Sequence, residues 1–275
     1  MRLDHFVAEQ NPSLSRSYVA KLIEAGSVLV NGQTSKPGYR LRTTDTVKMD
    51  FDLEQLQQIE PIELPIMYED DNVVVIDKPT GVISHSRGKY WFEPSVASFI
   101  RQLTGQEGDR TGIVHRLDRA TSGVMICAKN SETLSYLQKQ FSQRKVHKTY
   151  IAIAQGHLEP PEAIIDMPIE RNPKAPATFR VGANGKPAQT AYKVLRSSDK
   201  YDEIELTPQT GRTHQLRVHL KQQGHPIVGD ALYAGPEAER LFLHAYKLTI
   251  SIPEKGKQTF TAPLPIGFKQ LLESA

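Results

Sequence analysis

The segment IVHRLDRATSG (Ile113–Gly123) breaks two apolar stretches with a polar run of His, Arg, Asp, Thr and Ser. Gly112-Ile113-Val114 stands before it and Val124-Met125-Ile126-Cys127-Ala128 after it. A strand over 112–117, a charged turn and a strand over 123–129 fit that pattern. The turn would hold Asp118 between Arg116 and Arg119, close to Thr121 and Ser122. Such a turn is either a solvated connection or a site.

The remaining segments decide what surrounds it. A turn at Glu69-Asp70-Asp71-Asn72 precedes a buried strand from Val73 to Ile76. Further strands are expected at 148–155, 177–182, 188–195, 202–207 and 244–251, and helices at 93–104, 131–142, 212–223 and 266–273. Strands outnumber helices and fall partly in hairpin order. That predicts an α+β fold with a mainly antiparallel mixed sheet, flanking helices and a central cleft. The 275 residues have room for one large domain or for a large and a small one.

The small one is expected at 1–50. Arg2 to Glu9 reads as a short helix. Ser15 or Ser17 caps a second helix with Val19, Leu22 and Ile23 on its apolar face, and Gly26 stands where a C-cap belongs. Val28 to Gly32 reads as a strand and tight turn. Residues 51–63, acidic and glutamine-rich with a proline, read as a linker to a larger domain at 64–275.

Charge is distributed unevenly. The formal net charge is +3, yet residues 101–150 carry 9 Lys/Arg against 4 Asp/Glu, whereas 51–75 carry 7 acids and no Lys or Arg. The basic stretch suits a phosphate backbone. No apolar run approaches the roughly 18 residues of a membrane span, and the N-terminus has no signal-peptide core. The lone Cys127 cannot form an intrachain disulfide. No membrane association and a reducing cytoplasm are the expectation.

The familiar chemical signatures are missing: no phosphate-binding loop, no dinucleotide fingerprint, no nucleophile elbow, no HExxH and no CxxC. His115, His214 and His219 could in principle gather round a metal, but a site without metal or cofactor is the default. Three stretches set reactive polar groups beside apolar ones: His115-Arg116-Leu117-Asp118, Lys148-Thr149-Tyr150, and Thr207 to Asp230. In the third, Thr210 or Thr213 is expected to cap a helix with Arg212, Leu216 and His219 on one face. Arg212 would then meet Asp118. An aspartate beside an arginine stays ionised at neutral pH, and without a metal it can attack or stabilise a sugar carbon. Tyr150 offers a ring on which a base can stack. Together these suggest chemistry on a nucleoside within RNA.

Residues 64–265 resemble the pseudouridine synthases of the RluA type. The matching motifs are Tyr68 to His85, His115 to Lys129, Lys148 to Gly156, Thr210 to Leu220, Gly224 to Tyr233, Leu241 to Ile250 and Phe260 to Pro265. The resemblance implies that Asp118 is the catalytic aspartate, Tyr150 the active-site tyrosine and Arg212 the basic partner of the aspartate. It makes Leu216 the aliphatic residue near the base and Arg116 the arginine that opens the RNA. Ser86 to Trp91 departs from the usual pattern. Residues 1–50 resemble the small RNA-binding domain named after ribosomal protein S-four, which implies RNA contact through Arg16 and its neighbours Arg2, Lys21, Arg40 and Arg42. The expected activity is isomerisation of uridine to pseudouridine in RNA by a monomer without cofactor. Large-subunit ribosomal RNA is the leading substrate and transfer RNA the alternative. A silent RNA-binding assembly factor and a hydrolase are the competing readings.

Overall fold

A computed structural model of the chain describes residues 1–52, 60–85, 93–108 and 110–274. Residues 53–59 of the expected linker and the divergent loop Ser86 to Trp91 lie outside the described residues. Contacts divide the chain into two units, Met1–Ile62 with His85–Thr111, and Glu63–Ser84 with Gly112–Ala275.

In the first unit, helices α1 (Leu3–Gln10) and α2 (Arg16–Glu24) bury Leu3, Val7, Val19, Leu22 and Ile23 against Leu14, Val28 and Val30. Ser15 caps α2, its Oγ accepting from the Tyr18 N–H at 3.3 Å. Strands β1 (Val28–Val30) and β2 (Gln33–Thr34) form a hairpin, and β3 (Val47–Met49) pairs with the other edge of β1. The hairpin turn uses Asn31 and Gly32, both at positive φ, as its two-residue geometry demands. Helix α3 (Val96–Thr104) starts at a Ser95/Ser98 capping box and ends at Gly105 in the left-handed region.

The second unit is built on one mixed sheet. Its strands are β4 (Ile66–Glu69), β5 (Val73–Lys78), β6 (Ser122–Ala128), β7 (His147–Gln155), β8 (Glu162–Asp166), β11 (Gln189–Ser197), β12 (Tyr201–Pro208), β13 (Leu243–Ile252) and β14 (Gly256–Thr261). Strands β9 (Ile169–Arg171) and β10 (Phe179–Val181) form a separate hairpin. The sheet order is β4-β5-β6-β13-β7-β12-β11-β8, with β14 beside β13. Every pair in it is antiparallel except β6 with β13. Helices α4 (Ser131–Ser142), α5 (Gln215–Gln222) and α6 (Ile266–Glu273) complete the unit. Leu216 and Leu220 of α5 and Phe268 of α6 join Ile151, Ile153, Ile204, Leu206 and Phe242 in the main core. The α+β fold with a mainly antiparallel mixed sheet is thus as the sequence predicts.

Two local expectations fail. Residues 112–117 form no strand: Ile113 makes a single bridge to Cys127, and the chain then runs as a loop up to β6. The polar residues there spend their hydrogen bonds on other segments, as described below. The helix expected over 212–223 begins only at Gln215. Thr210 does not cap it. Its hydroxyl donates to Gln215 Oε1 and accepts from the Gln189 N–H. His214, in the left-handed region at φ 56°, occupies the cap position instead.

Candidate active site

The loop bearing Asp118 is clamped by the turn that follows β5. Ser84 Oγ donates to Leu117 O at 2.8 Å and accepts from Leu117 N at 3.0 Å. Gly81 N donates to Arg119 O, and Thr80 Oγ1 to Ala120 O. The Lys78 ammonium, fully buried, donates to Pro79 O and Val82 O at 2.8 Å and to Arg119 O at 3.3 Å. Burial pushes its pKa down to about 7, against the pull of the Asp118 charge. Thr121 N closes the turn onto Asp118 O at 3.1 Å. Gly123 then allows β6 to meet β13: its φ is 114°, and a Cβ there would sit 2.3 Å from Ala245 O. These bonds give Asp118 a fixed platform just before a fully buried strand.

Asp118 faces a cavity of about 490 Å³ whose walls come from this loop, the end of α4, β7, the end of β12 and the start of α5. Tyr150 of β7 lines it, half-buried. Burial, with the Asp118 charge adding to it, raises the pKa of the phenol, so the ring keeps its proton at neutral pH. Leu216, buried on α5, supplies an aliphatic wall, and Arg116 and Arg212 also line the space. Among the lining residues Asp118 is the sole acid, facing Arg116, Arg144, Lys148, Arg212 and Arg217. A cavity so charged selects an anionic ligand and accepts one flat group against Tyr150.

The predicted partner of Asp118 is corrected. Arg212 precedes α5, and its Nε donates to Pro187 O at 2.9 Å. Arg217, inside the helix, makes the ion pair instead, Nη1 lying 3.5 Å from Asp118 Oδ2. Arg212 lies ahead of the helix, bonded to the Pro187 carbonyl, whereas Arg217 lies inside it and reaches the loop. Arg217 is itself anchored by two bonds of 2.7 Å to Asp230, a residue only 1% exposed. His214 Nε2 lies 3.9 Å from the same Oδ2. Burial lowers the pKa of His214 despite the nearby carboxylate, which leaves the ring neutral at pH 7.

Residue pattern alone had pointed to neither Arg217 nor Asp230. A usable signal was present: an arginine at the centre of an apolar helical segment needs a buried acid. The three histidines go to different partners. His115 Nε2 accepts from Ile126 N at 3.1 Å and its ring stacks on Phe141. Burial, with the Lys148 charge adding, takes its pKa to about 3. His219 bonds Thr190 Oγ1 and Met167 O. In the first unit, Arg2, Arg16, Lys21, Arg40 and Arg42 are all exposed. Arg2 and Arg16 converge on the buried Asp4. Burial would raise that carboxyl, but the two guanidinium groups hold it below the usual carboxylate value.

A mixed-sheet domain with one aspartate in a basic cavity, preceded in sequence by a small helix-and-hairpin unit, is the arrangement expected of an enzyme that acts on RNA. A family model described as RNA pseudouridylate synthase matches residues 72–222, and one described as the S4 domain matches residues 1–47. An uncharacterized RNA pseudouridine synthase of Aquifex aeolicus is 36% identical, over 98% of this chain and 92% of that protein. The ribosomal large subunit pseudouridine synthase D of Borreliella burgdorferi is also 36% identical, over 98% of this chain and 87% of its own length. Among solved structures, human RNA pseudouridylate synthase domain containing 4 superposes with a TM-score of 0.61 at 28% identity, covering 76% of this chain and 92% of the human one. The chain belongs to the RNA pseudouridine synthase family and carries an N-terminal S4 domain.

Proposed function

We propose that this pseudouridine synthase acts on uridines of large-subunit ribosomal RNA and that Asp118 is its catalytic carboxylate. The observation carrying the second part is that Asp118 is the sole acid among five Lys/Arg on the cavity wall. The first rests on the names of relatives such as the Borreliella burgdorferi enzyme and on the S4 domain. Residues 1–50 serve as an RNA-holding unit through Arg2, Arg16, Lys21, Arg40 and Arg42, residues 51–63 as linker and 64–275 as the catalytic part. A monomer in a reducing cytoplasm fits this reading.

The chemistry follows from the wall. A stacked uridine must leave its neighbours, a flip costing a few kcal/mol that phosphate contacts with the cavity arginines offset. Arg116, exposed at the rim, meets the strand as it opens. The base lies on Tyr150 with Leu216 packing near it. The Asp118 carboxylate assists cleavage of the glycosidic bond between N1 and the ribose, the uracil turns and rejoins through carbon 5, and the carbon-5 proton is lost to solvent while the freed N1 takes one up. Release of tritium from RNA labelled at carbon 5 of uridine measures that last step. Labelled ribosomal RNA releasing no tritium, where transfer RNA does, would overturn the substrate assignment.

A further inference from the structure

Both partners of Asp118 are held from behind by one short segment, Asp230 to Tyr233. Asp230 takes the two guanidinium bonds of Arg217. Tyr233 ends the single 3-10 turn that Asp230 opens. Its ring lies under the Arg217 guanidinium, 5.0 Å from Cζ, and edge-on to His214. Its hydroxyl lies 2.8 Å from His214 Nδ1 and accepts from the Phe179 N–H at 2.9 Å.

That last contact sets a tautomer. The phenol oxygen already accepts one hydrogen from Phe179. If Nδ1 also carried a proton, the phenol hydrogen of this buried residue would have no acceptor among the described residues. The satisfied arrangement has Tyr233 donating to Nδ1, which leaves the imidazole proton on Nε2. Nε2 is the atom facing Asp118. At 3.9 Å it is a charge–dipole contact rather than a hydrogen bond, and contacts of this kind commonly tighten when substrate fills a site. Arg217 and His214 both address Oδ2.

We propose that Tyr233 is a positioning residue that fixes His214 as the Nε2–H tautomer, so that Arg217 and His214 together hold Oδ2 of Asp118 and present Oδ1 to the nucleoside. The left-handed backbone of His214, uncommon outside glycine, is consistent with a residue held in place for this purpose. This deepens the proposed function and rests on Asp118 being the reacting carboxylate.

Nitrogen-15 NMR of the wild-type enzyme with labelled histidine tests the tautomer without any mutation: His214 is expected to show a bare Nδ1 and a protonated Nε2. A protonated Nδ1 overturns the proposal. In Tyr233→Phe the two tautomers should mix, and kcat should fall about tenfold, the equivalent of about 1.4 kcal/mol, with KM for RNA unchanged. His214→Gln, whose amide nitrogen can stand in for Nε2–H, should retain most turnover, whereas His214→Leu should fall about tenfold as Tyr233→Phe does. Full kcat in both Tyr233→Phe and His214→Leu overturns the positioning role. If those two are fully active while Asp118→Asn is dead, the positioning role fails and the proposed function stands. An active Asp118→Asn would mean the function itself fails.

Discussion

Two arginines compete for the role of supporting Asp118, and their environments give very different expectations. Arg217 is 6% exposed at its side chain and bonds twice, at 2.7 Å, to a carboxylate with no exposed side-chain surface. Arg217→Met keeps the apolar stem but strands Asp230 as an unpaired buried charge, for which a loss of about 3–5 kcal/mol is expected. For a chain of this size that corresponds to a fall of roughly 6–20 °C in melting temperature. Arg212 donates to one carbonyl from a half-buried position, so Arg212→Ala should cost only about 1 kcal/mol. Denaturant unfolding of the two variants beside wild type reads the contrast. The double variant Arg217→Met/Asp230→Leu sharpens it, because removing both charges should cost less than removing one. Arg217→Met within about 1 kcal/mol of wild type, or Arg212→Ala the more damaging change, would refute the assignment of the ion pair.

Three further outcomes follow from the loop and its surroundings. Lys78 in the folded chain titrates near 7 against 10.5 for a free lysine, so between these values the unfolded state holds more protons and stability rises with pH. The slope is at most about 1.4 kcal/mol per pH unit, and it should vanish from the unfolding free energy of Lys78→Met measured over the same range. Gly123→Ala must clash with the Ala245 backbone at a φ of 114°. A loss of more than about 3 kcal/mol is expected in denaturant unfolding, and a stable, active variant would show that β6 and β13 do not approach as described. Tyr150→Phe retains the stacking face and should bind RNA as wild type does, with turnover in the tritium-release assay within about tenfold of wild type. A loss of about a hundredfold or more would show that the hydroxyl also moves a proton.

Much of this arrangement is legible in the chain because it rests on local rules. Ser15 ahead of an apolar helical pattern, Asn31-Gly32 between two short strands, and an all-apolar β6 each announce their structure within a few residues. The aspartate is legible as well, since a charged loop beside a buried strand is costly unless used. The errors come from longer range. A hydroxyl before an apolar run suggested a cap at Thr210 or Thr213, but Thr210 is taken by Gln189 on another strand, and the helix starts later. Arg212 therefore lies ahead of the helix and Arg217 inside it. The bonds from Lys78 to Arg119, 41 residues on, and from Arg217 to Asp230 depend on a sheet order that no local pattern contains. Residues 112–117 failed as a strand for the same reason: their bonding partners lie in the 78–84 turn and in β6.

In the proposed reaction the carboxylate of Asp118 performs the chemistry, and other groups supply the RNA binding. Asp118→Asn keeps the shape and removes the charge, and the described residues of the cavity wall include no second acid to replace it. Pseudouridine formation should be abolished while RNA affinity and melting temperature stay near wild type. The deciding measurement is the single-turnover rate of pseudouridine formation in ribosomal RNA saturated with each protein. A rate within about tenfold of wild type, roughly 1.4 kcal/mol in barrier, would contradict the account.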